Sequence, residues 1–157
     1  MFIYYFVQLA HSRQQVERAL LEGLDGLPTL ADVAYRRGEE LRARIGPGWG
    51  PAAKEVRLGV GTPWRGEAET TVPVTWEATG PSGLFPRMEA DLVVGGLGTD
   101  LTQLALRGRY RQPLGSFGRA IDRALLHRVA EASVKDFVDR LAEAVEAGID
   151  ARERERA

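Results

Sequence analysis

The chain has 157 residues, 44% of them hydrophobic and 27% charged, with a formal net charge of −1. That is enough for an ordinary core, and the balanced charge removes DNA, RNA and an anionic membrane surface as the main partner. With no cysteine and two histidines, His11 and His127, disulfides, thiolate chemistry, cysteine-held zinc and a histidine-rich metal site are excluded. No Asp-x-Asp-x-Asp-Gly calcium loop is present either, so no metal and no cofactor is expected.

The apolar opening from Phe2 to Leu9 has no basic segment before it and is too short to cross a bilayer. Its aromatic and β-branched residues predict a strand rather than a signal segment, and a cytoplasmic protein without stable membrane association is expected. Ser12 and Gln15 form a capping box. They open a helix that buries Val16, Leu20 and Leu24 and is broken by Gly23, Gly26 and Pro28. Thr29 caps a second helix to about Ile45, ended by Gly46-Pro47-Gly48.

Period two then takes over. Val56, Leu58 and Val60 alternate with Glu55, Arg57 and Gly59, and Ala68 to Ala78 alternate in the same way. After Gly80-Pro81-Ser82-Gly83, Met88, Ala90, Leu92 and Val94 share one face. After Gly95-Gly96-Leu97-Gly98, Thr102, Leu104, Leu106 and Tyr110 do the same. These segments predict an antiparallel meander with one dry and one wet face. Pro73 cannot donate to a ladder and is expected at an edge or a bulge.

From Ser116 the period changes to 3.6. Phe117, Ile121, Ala124, Leu125, Val129 and Ala132 share one side of a long helix. Val134, Val138, Leu141 and Val145 form a stripe rotated from the first, so the helix either kinks or buries two faces in succession. Residues 148–157 are a charged tail expected to fray, and residues 1–147 are expected to form a single domain.

Strand, two helices, meander and long terminal helix is the order of the helix-grip fold, and the chain resembles the START-like superfamily. That group includes plant pathogenesis-related allergens, lipid-transfer domains and bacterial polyketide cyclases. Val72-Pro73-Val74-Thr75-Trp76, Pro86-Arg87-Met88-Glu89-Ala90-Asp91-Leu92, Leu106-Arg107-Gly108-Arg109-Tyr110, Pro113-Leu114-Gly115 and the helix from Ile121 to Ala130 look like its bacterial members. The resemblance implies an α+β fold: a curved antiparallel sheet of six to seven strands wrapped around a long C-terminal helix, with two short helices after the first strand. It also implies an apolar ligand held between sheet and terminal helix.

Parity puts Val74, Trp76, Met88, Leu92, Leu104, Leu106 and Tyr110 on the dry face, and helical spacing groups Phe117, Ile121 and Leu125. On the resemblance these residues line a cavity, with Tyr110 offering a polar tip; a filled core would give the same pattern. Three functions follow. The first is binding of an apolar small molecule such as a lipid, quinone or polyketide. The second is an aromatase/cyclase-type enzyme using the same cavity, with Tyr110, an inward arginine or His127 handling protons. The third is a filled-core protein with a structural or regulatory role.

His127 and Glu131, at i and i+4, read either as an acid/base dyad or, more ordinarily, as a solvated helix pair. Arg107, Arg109, Glu89 and Asp91 fall on the wet face, where cross-strand ion pairing is expected. The glycines at 95–98 precede a strand, not a helix, so no phosphate site is expected. No serine has a Gly-x-Ser-x-Gly context.

Overall fold

The structure is a computed structural model that describes residues 1–45, 55–79, 87–111 and 123–157, excluding the side chains of 39–45, 55, 78, 79, 111, 123–126 and 129. The expected helix start near Ser116, Phe117 and Ile121, and the turns at 46–51 and 80–83, lie outside the described residues. So does the side chain of Leu125.

Strand β1 (Phe2–Leu9) leads into helix α1 (Arg13–Glu22) through the capping box: the Gln15 backbone N–H donates to Ser12 Oγ, and the Ser12 N–H donates to Gln15 Oε1 at 3.0 Å. Gly23 ends the helix, its N–H shared between the carbonyls of Ala19 and Leu20. One 3₁₀ turn (Leu24–Gly26) follows, and α2 (Leu27–Ile45) starts at once. The second helix therefore begins two residues before the expected cap at Thr29. Pro28 does not break a helix here but stands in the first turn of one, where a missing N–H costs nothing and the fixed φ is already helical.

The sheet is antiparallel throughout and has six strands, in the order β1-β6-β5-β4-β2 with β3 also on β4. They are β2 (Glu55–Val60), β3 (Trp64–Arg65), β4 (Glu69–Thr79), β5 (Arg87–Gly96) and β6 (Thr102–Arg111), with β1 at one edge. Strand β3 was not legible in the sequence. Pro73 lies in an interior strand, opposite the break between β2 and β3. Gly61, Thr62 and Pro63 stand there against Val72 and Pro73, which makes a bulge. The Gly61 N–H donates to the Pro73 carbonyl at 2.7 Å, so the donor that proline lacks would have faced the point where the ladder is interrupted.

Helix α3 (Arg123–Arg156) is one continuous helix of 34 residues over the described range. Val134, Phe137, Val138, Leu141, Val145 and Ile149 are buried along it and lie against the sheet, α1 and α2. The charged end expected to fray is helical to Arg156. Ile149, only 3% exposed, holds it on the core, and α1 passes so near Gly148 that a Cβ there would be in ordinary contact with that of Ala19, at 3.8 Å.

Candidate functional site

The register builds the inner face of the sheet row by row. Thr70, Val94, Leu104 and Val7 form one row; Val72, Leu92, Leu106 and Tyr5 form the next. Val74, Ala90, Gly108 and Ile3 follow, and then Leu58, Trp76, Met88 and Tyr110. All seven strand residues expected to line a cavity share this face, below α3.

They do not share one environment. Val72, Leu92, Val94, Leu104 and Leu106, at the end covered by α1 and the C-terminal half of α3, are 0% exposed. At the opposite end Trp76, Met88 and Leu58 keep 6, 7 and 9% of their surface in contact with solvent. Phe137, missed in the sequence although it lies three residues after Val134 and four before Leu141, packs against Trp76 in a T-shaped contact with the ring centres 5.3 Å apart.

Apart from Arg65, which stands opposite Thr70 at the edge and pairs with Glu17, the inner face carries four polar groups among the described residues, and three of them have strong partners. Thr70 donates to Glu17 Oε2 at 2.9 Å and accepts from Arg13. Thr102 donates to the His11 carbonyl at 2.8 Å. Tyr5 donates to Asp139 Oδ1 at 2.8 Å, tying β1 to α3. Burial works against the charge of Asp139, but hydrogen bonds from Lys135 and Tyr5 outweigh it and hold the carboxyl below its usual range.

Tyr110 is the exception. It is 3% exposed, and its hydroxyl reaches only the Met1 thioether, at 3.0 Å. Burial first, and the Glu131 carboxylate second, push its pKa up, so the hydroxyl keeps its proton. Glu131 in turn meets His127 Nε2 at 2.9 Å, the i, i+4 pair expected from the sequence. This pair is not fully solvated: His127 Nδ1 is buried and has no hydrogen-bond partner.

The outer face carries the expected ion pairs. Arg107 contacts Glu69 at 2.9 Å and Asp91 at 3.7 Å, and Arg87 lies 3.9 Å from Glu89. Arg107 is on β6 and Glu69 on β4, so their bridge passes diagonally over Val93 of β5. The arginine stem and this bridge account for the burial of Val93 and Ala105 on the side away from the core. Beside them lies an open groove of about 500 Å³ between Arg109, Glu89 and Thr75 on one wall and Arg107, Asp91 and Pro73 on the other. Its mixed walls and salt-bridged charges make it a solvated surface. Among the described residues no three His, Asp or Glu converge as a metal site, and no helix is long and apolar enough to cross a membrane.

No family model matches the chain, and no curated protein matches it. Solved structures do. A conserved protein from Geobacillus kaustophilus is similar at a TM-score of 0.51 and 17% identity, over 94% of this chain and 96% of that one. The Zhui aromatase/cyclase from Streptomyces sp. R1128 reaches 0.49 at 12% identity, over 93% of each chain. Norcoclaurine synthase from Thalictrum flavum reaches 0.43 at 14%, over 91% of this chain and 87% of that one. At such identities the likeness concerns the fold alone. Together with the six-stranded antiparallel sheet, the paired helices after β1 and the long terminal helix, the likeness to the Geobacillus protein gives the chain the helix-grip fold.

Proposed function

We propose that the protein binds an apolar small molecule, of lipid, quinone or polyketide type, between the inner face of the sheet and α3. The ligand sits at the end formed by Leu58, Trp76, Met88 and Tyr110. One observation carries this reading: the same apolar face is closed to solvent at the α1 end and retains solvent contact at the other. A ligand needs an apolar surface that the protein's own side chains have not saturated. A second reading, an aromatase/cyclase-type reaction on a polyketide-like ligand in the same place, is favoured by the His127–Glu131 pair, whose carboxylate adds to the upward push on the Tyr110 pKa. We place either activity in the cytoplasm.

Native mass spectrometry of the freshly purified protein tests binding directly, through a co-purified mass released on denaturation. Bulk added at the two ends then locates it. Met88→Trp should abolish uptake of a fluorescent fatty acid with little change in melting temperature. Leu104→Trp should overpack a closed core and cost about 1–3 kcal/mol. Equal destabilisation by both, with no uptake by the parent protein, would mean that the whole face is ordinary core.

A further inference from the structure

The two edges of the sheet are built differently. At one edge β2 carries Glu55 and Arg57, and β3 has two residues flanked by Pro63 and Gly66. Charge, proline and brevity are the usual means of keeping an edge from pairing with another chain. Strand β1, the other edge, has none of them. Phe2–Leu9 holds no charged residue, proline or glycine, and it pairs with β6 residue for residue without a bulge.

The open bonds of that edge can be assigned. Met1 and Tyr110 exchange both backbone hydrogen bonds, at 2.9 and 3.0 Å. Such pairs alternate along an antiparallel ladder. Ile3, Tyr5, Val7 and Leu9 therefore bond to β6, while Phe2, Tyr4, Phe6 and Gln8 turn their N–H and C=O groups away from it. Among the described residues no hydrogen bond reaches these outward groups. The same residues point their side chains to the outer face, where Phe2, Tyr4 and Phe6 are 60, 48 and 45% exposed. The Tyr4 and Phe6 ring centres lie 5.8 Å apart, and Gln103 donates to the Tyr4 hydroxyl at 2.8 Å, so the row is already ordered in the single chain.

Open backbone groups along a strand are completed by another strand, and β1 itself fits. With a two-fold axis at Tyr4, an antiparallel second copy sets Tyr4 opposite its own counterpart. Phe2 of each copy then stands opposite Phe6 of the other. All three pairs join residues whose backbone groups face outward, so the ladder bonds form and the rings meet on one face. On the inner side Lys135 and Asp139, which both contact Tyr5, neutralise each other. The three rings alone expose about 300 Å² per copy at the usual size of an aromatic side chain, about half of what a small specific interface needs. The strand edge adds to this, and an interface of that size gives an association that depends on concentration.

We propose that β1 is a dimerisation edge: two copies pair antiparallel through Phe2, Tyr4 and Phe6 and join their sheets into one, with the aromatic row buried at the seam.

Sedimentation velocity on the full chain tests this. The mass should rise from that of the 17.3 kDa monomer toward twice that value between about one and several hundred micromolar, and no further, because a two-fold contact closes. Amide exchange followed by NMR needs no variant and reads the edge by parity. Tyr4 and Phe6 should gain at least about tenfold protection over that range, while Ile3, Tyr5 and Val7 stay protected throughout. Tyr4→Lys should keep the fold, read by circular dichroism, and remain monomeric. Because the chain has no cysteine, Tyr4→Cys reports the register. Opposed Cα atoms about 5.5 Å apart suit a disulfide, so mild oxidation should cross-link it at least about tenfold faster than Gln8→Cys, which lies beyond the paired segment. A parent protein that is monomeric at every concentration overturns the proposal and leaves the edge to a strand from another protein. Growth beyond the dimer, a dimer whose Tyr4 and Phe6 amides exchange as fast as in dilute solution, or equal cross-linking at both positions overturns it as well.

Discussion

The two ends of the inner face have the same strands, the same parity and nearly the same residue types, yet they are packed differently. At one end α1 and the C-terminal half of α3 close over Leu92, Val94, Leu104 and Leu106, with Val16, Leu20 and Val138 filling the space between. At the other, Trp76 meets the ring of Phe137, α2 packs against the strand that carries Leu58, and Trp76, Met88 and Leu58 keep some contact with solvent. Hydrophobic patterning decides which face is buried. Which part of that face is saturated depends on the elements laid across it. The inner face of this sheet therefore runs from a fully closed end to one whose side chains keep a few per cent of their surface exposed.

The strongest way to break this contrast is truncation at each end. Leu92→Ala should cost about 4–5 kcal/mol, at the high end for its type, because it empties a fully closed position. Leu58→Ala should cost about 2 kcal/mol, at the low end for its type, since part of its surface already meets solvent. Denaturant midpoints at constant m-value measure both, and equal losses would erase the difference between the ends. The boundary between them can be tested at Gly108, where a Cβ would stand 2.6 Å from that of Ala90 and 3.0 Å from the Glu89 carbonyl. Gly108→Ala should cost about 1–3 kcal/mol, and the penalty should shrink in an Ala90→Gly background if the Ala90 contact is its cause.

Much of this was legible in the sequence. Strands β4, β5 and β6 show uninterrupted period-two patterns, so parity alone placed Trp76, Met88, Leu92, Leu104, Leu106 and Tyr110 on one face. Ser12 and Gln15 announced α1. Strand β3 was hidden because two residues, Trp64 and Arg65, carry no period and are flanked by Pro63 and Gly66. Pro28 was ambiguous, because proline ends one helix as readily as it starts another. The candidate site was the least legible part. Parity cannot say that α1 reaches one end and not the other, and the spacing of His127 and Glu131 is the same whether the ring's second nitrogen lies in water or under protein. The pairing of Tyr110 with Met1 spans almost the whole chain and leaves no local signature.

Smaller effects sharpen the picture. Tyr5→Phe removes the bond that ties β1 to α3 in the row of Val72, Leu92 and Leu106 and should cost about 1 kcal/mol at neutral pH. The Asp139 carboxyl titrates below its ordinary value of 3.8 in the folded chain. Its contribution is therefore complete above that value and is lost as pH falls through the lower folded one. The gap between parent and Tyr5→Phe should hold steady above about pH 5 and narrow below about pH 4; a gap that widens in acid contradicts the bond. The smallest effect belongs to the outer face. Thr71 is buried there with its hydroxyl unpaired, so Thr71→Val should be neutral or stabilise by up to about 1 kcal/mol. It should leave ligand uptake untouched, which makes it the control for both ends.

The Arg107–Glu69 bridge has a consequence for how the protein behaves in concentrated solution. Phe6, Ala105, Val93, Thr71 and Trp64 lie in one row across the back of the sheet, with the aromatic residues at its two ends exposed and its middle shielded by that charged strap. Joined up, such a row would be a continuous sticky strip of the kind that drives self-association. One arginine stem and one carboxylate keep it in two pieces. Resistance to self-association along this row is therefore expected to depend on a surface ion pair that contributes little to folding and that added salt screens.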